Sequence, residues 1–200
     1  MTTVFLHALP YDPSMWDGYD GAKPHLYGRG PSLEVWAEQI LAEVDGQLVP
    51  IGASMGGYTA LAMAKRAPER IGGLALVGSR AGADPPERRA ERDETIRKLR
   101  EQGTDSVWPG NTNDPNELAD AVAAIRDRPD FNAVPPALAV PLLVCVGTGD
   151  HLTTVEEARS IADSAPRGRL EVFEDAGHIL SLDQPDRFRN VLEAFLEECR

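Results

Sequence analysis

Two stretches constrain this chain more than any others. Leu74-Ala75-Leu76-Val77-Gly78 and Leu142-Leu143-Val144-Cys145-Val146-Gly147 are apolar at every position until a glycine ends them. A half-exposed strand alternates polar with apolar residues, so a short unbroken apolar run fits a strand covered on both faces. Strands of that kind belong to parallel sheets with helices packed on either side. The rest of the chain supplies matching pieces. Thr3 to His7, Gln47 to Gly52 and Arg169 to Phe173 read as further strands, and Pro24-His25-Leu26-Tyr27 as one more. Between them lie helical patterns: Trp36, Ile40, Leu41 and Val44 after an N-capping Ser32, Tyr58 to Ala67, Val155 to Ser164, and Pro185 onward through Phe188, Val191, Leu192 and Phe195. The expected architecture is α/β in three layers, with a mostly parallel sheet of about six strands. Pro24 to Tyr27 falls on an edge, where a proline at a strand start is tolerated. An open edge invites a second copy, so a homodimer through that edge is a further expectation.

The alternation breaks between residues 80 and 136. Pro85 to Gln102 is a charge-laced helical pattern, Asp105 to Pro115 is loop-rich, and Glu117 to Arg126 is a second helix, with no strand among them. The division predicted is a core of 1–79 and 137–200 carrying a helical lid insertion at 80–136. The Arg and Glu residues between Glu87 and Glu101 read as a solvated face and receive no role.

A chain of 200 residues, 42% hydrophobic and 26% charged, can bury one substantial core. Its net charge of −12 argues against nucleic acid or an anionic membrane surface as partner. No run approaches the roughly 20 apolar residues that cross a bilayer, and Met1 to Leu6 has no basic leader, so a cytoplasmic location is expected. Cys145 and Cys199 lack metal-ligand spacing, and no metal is expected.

The chemistry centres on Gly52-Ala53-Ser54-Met55-Gly56, a G-x-S-x-G turn between an apolar run and a helical segment. Alone it is weak, because about one chain in fifteen of this length holds such a pattern by chance. A serine hydroxyl needs a histidine to take its proton, and that histidine needs a carboxylate to fix its tautomer. Asp150 follows the run ending at Gly147, and His178 follows Phe173-Glu174-Asp175-Ala176-Gly177. Parallel strands end on one edge of their sheet, so loops far apart in sequence converge there.

With these motifs in the order Ser54, Asp150, His178, the chain resembles the α/β-hydrolase superfamily, and most closely its esterase-type members with a serine nucleophile. Pro68-Glu69-Arg70 after the elbow helix and Gln184-Pro185 after the histidine turn add to the resemblance, which runs from about Val4 onward. It implies that the loop His7-Ala8-Leu9, with Trp16 downstream, is the oxyanion loop, and that the backbone N–H groups of Leu9 and Met55 are the oxyanion donors. Ala8 stands where the family commonly has glycine, and the chain opens directly on the strand before this loop, without the strand pair usual in relatives. His7, Trp16 and Trp108 are candidate pocket residues; orientation of the oxyanion loop is the alternative for His7, and core packing for the tryptophans. The expected activity is hydrolysis of a small, largely apolar carboxylic ester, lactone or thioester through an acyl-enzyme, with no cofactor. Carbon–carbon bond hydrolysis or cofactor-free perhydrolysis on the same triad, and ligand binding without turnover, are the alternatives.

Overall fold

In the computed structural model, which describes residues 1–200, five strands form one sheet: β1 (Thr2–Leu6), β2 (Leu48–Ala53), β3 (Leu74–Val77), β4 (Leu142–Gly147) and β5 (Gly168–Phe173). Every pairing is parallel, and the strands stand in the sheet in chain order. The helices are α1 (Leu33–Glu43), α2 (Met55–Arg66), α3 (Pro86–Gln102), α4 (Pro115–Arg126), the single turn α5 (Val134–Ala137), α6 (Val155–Ser164), the single turn α7 (Leu180–Asp183) and α8 (Pro185–Glu198). None is long and apolar enough to cross a membrane.

Three layers follow from the two-residue period of a strand. Val4, Leu6, Leu74, Leu76, Val144 and Val146 point to one face and pack against α1, α2 and α6. Phe5, Ile51, Ala75, Val77, Leu143 and Cys145 point to the other and pack against α8 and the 3-10 turn Pro13–Trp16. The three central strands β2, β3 and β4 are buried on both faces, and each large side chain removed from water contributes about 1.5–3 kcal/mol. Caps set the helix starts: the Ser32 hydroxyl accepts from Val35 N, and Thr154 and Glu157 form a reciprocal capping box on α6.

The sheet has five strands where the sequence pattern suggested about six. Pro24 to Tyr27 is not a strand. Its neighbour Ala22 makes a single bridge to Val4, with Phe5 N donating to Ala22 O and Ala22 N to Thr3 O. Leu26 and Tyr27 are buried, but the Leu26 N–H goes to the His7 ring rather than to a strand. The edge on which dimerisation was premised is therefore absent.

The pairings Leu6 with Gly52, Ala53 with Val77, Val77 with Cys145, and Gly147 with Phe173 keep the C-terminal ends of the strands level. Above that edge lie α3 and α4, which share a cavity wall with Ser54, while α5, also between β3 and β4, packs against α2 and α6. Their segment is tied down at both sides. Asn111 Nδ2 and Asn113 Nδ2 donate to Pro10 O at 3.0 and 2.8 Å, and Arg88 Nη2 donates to Leu152 O at 3.1 Å.

Candidate active site

Ser54 occupies the turn between β2 and α2 with φ 49° and ψ −109°, a conformation that side chains rarely adopt. The surroundings hold it there. Its N–H donates to Val77 O at 2.8 Å, and its carbonyl accepts from Gly57 N and from the Ser79 hydroxyl. The glycines on either side are required by contact: a Cβ on Gly52 would lie 2.3 Å from the Gly56 carbonyl, and one on Gly56 would lie 2.1 Å from Leu6 O.

His178, on the loop after β5, places Nδ1 2.8 Å from Asp150 Oδ2. The other Asp150 oxygen accepts from Leu152 N at 2.7 Å and Thr153 N at 3.1 Å. Burial pushes the Asp150 carboxyl up, but the hydrogen bond and charge of His178 and these two amides outweigh it and hold the group below its ordinary value. A carboxylate so fixed selects the tautomer in which Nδ1 carries the proton. Nε2 is buried and without a hydrogen-bond partner, on a residue that shares a cavity wall with Ser54. Ser54 Oγ is not hydrogen-bonded to it.

Several supports lie outside the sequence motifs. Asp183 Oδ2 accepts from Gly177 N at 2.8 Å and so braces the histidine turn. Thr153 Oγ1 donates to Gly78 O at 3.1 Å, linking the acid loop to the end of β3. Gly147 lets these loops meet, since a Cβ there would stand 2.2 Å from Ala176 O.

The loop after β1 brings Leu9 into the same cavity wall, and its N–H has no acceptor within the chain. Met55 opens α2, where helix geometry leaves N–H groups without an intrahelical partner. Ala8 is accommodated: it is buried among Met15 and Trp16, and its N–H meets Met15 Sδ at 3.2 Å.

Two candidate pocket residues lie elsewhere. His7 is fully buried beneath the loop, where Nε2 accepts from Leu26 N at 3.0 Å and Nδ1 contacts Ala8 O at 3.1 Å. Burial lowers its pKa to about 4, so the ring is neutral and serves as a brace. Trp16 is spent in an aromatic cluster on the opposite face of the sheet, 5.3 Å from Phe5 and 6.1 Å from Phe188 between ring centroids. Trp108 does line the cavity.

That cavity, of about 220 Å³, is walled by Leu9, Tyr58, Trp108, Ile125 and Leu152 on its apolar side and by Ser54, His178, Arg88, Glu91, Arg92 and Thr95 on its polar side. The four residues from α3 are spaced 3, 1 and 3 apart, which is one helix face. In a helix charged on every side, nothing in the sequence marks that face as different. No cluster of side chains suited to a metal ion is present.

Comparison with known proteins identifies the family of this fold. The family described as "Alpha/beta hydrolase family" matches residues 3–191. The pimeloyl-[acyl-carrier protein] methyl ester esterase of Aromatoleum aromaticum is 25% identical, over 92% of this chain and 93% of that protein. A 2-hydroxymuconate semialdehyde hydrolase from a Pseudomonas species is 27% identical over 83% of this chain and 69% of that one. Among solved structures, a thermophilic esterase from Thermogutta terrifontis, with malate bound, superposes with a TM-score of 0.87 at 26% identity, covering 98% of this chain and 89% of that one.

Proposed function

Because this chain belongs to the alpha/beta hydrolase family, we propose that it is a serine hydrolase that cleaves a small carboxylic ester, lactone or thioester through an acyl-enzyme. Its sequence relatives include hydrolases, one of them a methyl ester esterase. The observation that carries the reading is the relation of His178 to its neighbours: Nδ1 engaged by Asp150 at 2.8 Å, and Nε2 partnerless beside a serine on a strained strand-to-helix turn.

In this mechanism Nε2 removes the Ser54 proton as Oγ attacks the substrate carbonyl. Asp150 stabilises the imidazolium that forms. The carbonyl oxygen, now negative, is held by the N–H groups of Leu9 and Met55, each such donor being worth about 3 kcal/mol in the transition state. His178 then protonates the leaving alcohol or thiol, and the acyl group stays on Ser54. Water enters, loses its proton to Nε2 and releases the acid. The segment 80–136 acts as a lid, since α3 and α4 roof the cavity and exclude bulk water from the intermediate.

A fluorophosphonate probe should label wild type at Ser54, and Ser54→Ala should abolish both labelling and hydrolysis of p-nitrophenyl butyrate while keeping the circular dichroism spectrum. Turnover retained in Ser54→Ala would sink the assignment. The hydroxymuconate semialdehyde hydrolase relative favours a second reading, carbon–carbon bond hydrolysis on the same three residues; cleavage of a vinylogous diketone faster than of any ester would select it.

A further inference from the structure

The cavity opposite Ser54 holds positive charge that the rest of the molecule does not neutralise. Of the five arginines on α3, the three outside the cavity are each paired with carboxylates: Arg89 with Asp127, Arg97 with Glu94 and Glu101, and Arg100 with Asp120. The two that line the cavity differ. Arg88 has no carboxylate partner, and its one hydrogen bond goes to the Leu152 carbonyl. Arg92 gives Nε to Asp84, leaving both terminal nitrogens without an acceptor.

Asp84 is itself already matched. Its fully buried side chain accepts from Arg128 Nη2 at 2.8 Å, and that guanidinium, fully buried too, stacks 4.2 Å from the Tyr58 ring centroid. One carboxylate thus faces two arginines, and the surplus charge of the trio sits on Arg92, whose side chain is 22% exposed. In a chain with twelve more acids than bases, one guanidinium without a carboxylate and a second that shares its carboxylate with Arg128, both facing one cavity, are not a by-product of composition. A planar guanidinium with free N–H donors is suited to bidentate binding of a carboxylate, and Asp84 holds that of Arg92 in a set orientation. Glu91, on the same wall, is exposed at the rim and unpaired, so the charged side chains of the wall sum to one positive.

We propose that Arg88 and Arg92 form a carboxylate-binding subsite, and that the substrate is a short ester carrying a free carboxylate, such as the half-ester of a dicarboxylic acid. This rests on Ser54 being the nucleophile. The carboxylate enters between the two guanidiniums, the ester carbonyl lies over Ser54, and the methylene chain runs along the apolar wall at Tyr58 and Trp108.

The test compares mono-4-nitrophenyl glutarate with methyl 4-nitrophenyl glutarate, which has the same skeleton with the charge capped. Wild type should show kcat/KM at least tenfold higher for the anionic ester, and Arg88→Gln or Arg92→Gln should lower that preference at least tenfold, chiefly through KM. Arg88→Lys should restore part of it, and Glu91→Gln should raise it. A residue that merely supports the fold would lower both rates together and leave the ratio unchanged, which overturns the proposal, as does a wild-type enzyme that prefers the neutral ester. Binding of monomethyl glutarate to Ser54→Ala, followed by calorimetry, separates the two readings. Arg88-dependent binding without turnover by wild type supports the subsite and refutes the hydrolase; ester turnover by wild type without such binding keeps the hydrolase and refutes the subsite.

Discussion

Gly78 lies against the imidazole of His178: a Cβ built on it would stand 3.0 Å from Nδ1 and 3.0 Å from the His178 carbonyl oxygen. Gly78 follows β3 directly and has φ +55°. Gly78→Ala therefore adds both a strained backbone and a methyl group pressing on the ring that Asp150 orients. The strain costs about 1–2 kcal/mol, which for a chain of this size lowers the thermal midpoint by about 2–8 °C. Displacing the ring should lower kcat at least tenfold with a smaller change in KM. A folded Gly78→Ala with wild-type kcat would show that the ring does not depend on that space.

The conformation of Ser54 makes a separable prediction. Alanine at this position keeps the positive φ and its cost, whereas glycine relieves it. Both variants should be inactive, yet Ser54→Gly should melt above Ser54→Ala by roughly 2–4 °C, corresponding to about 1 kcal/mol. Equal midpoints in calorimetry would mean that the turn carries no strain.

His7 should make stability fall on mild acidification. Its folded pKa, about 4, lies below the ordinary histidine value of 6.5. Between these limits the unfolded chain binds a proton that the folded chain refuses, so the contribution is complete above pH 6.5 and is lost as pH falls toward 4. Its size is about 3 kcal/mol. His7→Gln keeps an acceptor for Leu26 N and removes the titration. Urea unfolding at pH 7 and pH 4.5 should show a smaller difference for His7→Gln than for wild type.

Asp150→Asn should cut kcat by about 10⁴ with little loss of structure, because the amide can donate to Nδ1 and favour the wrong tautomer. The same carboxylate has a stability signature. Its pKa is depressed in the folded chain, so its contribution is present above the ordinary carboxylate range and is lost as pH falls through the folded value. Wild type should lose more stability below about pH 4 than Asp150→Asn does, a difference readable in thermal midpoints.

Ser54, Asp150 and His178 could be picked out because each lies in the loop or turn after a strand candidate, and residues at that place in a parallel sheet are carried to one edge whatever their separation in sequence. What escaped had no such marker. Leu26 and Tyr27 have the composition of a strand because their side chains are buried; the backbone beside them pairs instead with a histidine ring and a single residue of β1. Trp16 follows the loop after β1 in sequence, but four residues of 3-10 helix turn it under the sheet toward Phe188. Arg88 and Arg92 differ from their neighbours on α3 only in what faces them across space. The bracing of the histidine turn by Asp183 is likewise a tertiary contact, with no local pattern to announce it.

The order of the strands bears on how the chain is made. Since β1, β2 and β3 are neighbours in space as well as in sequence, they can pair as soon as they leave the ribosome. The partner of β3 on its far side is β4, which begins 65 residues after β3 ends. At ordinary synthesis speeds that gap lasts about 3–13 s. Throughout it, the backbone edge of an entirely apolar strand stands open to any other nascent chain.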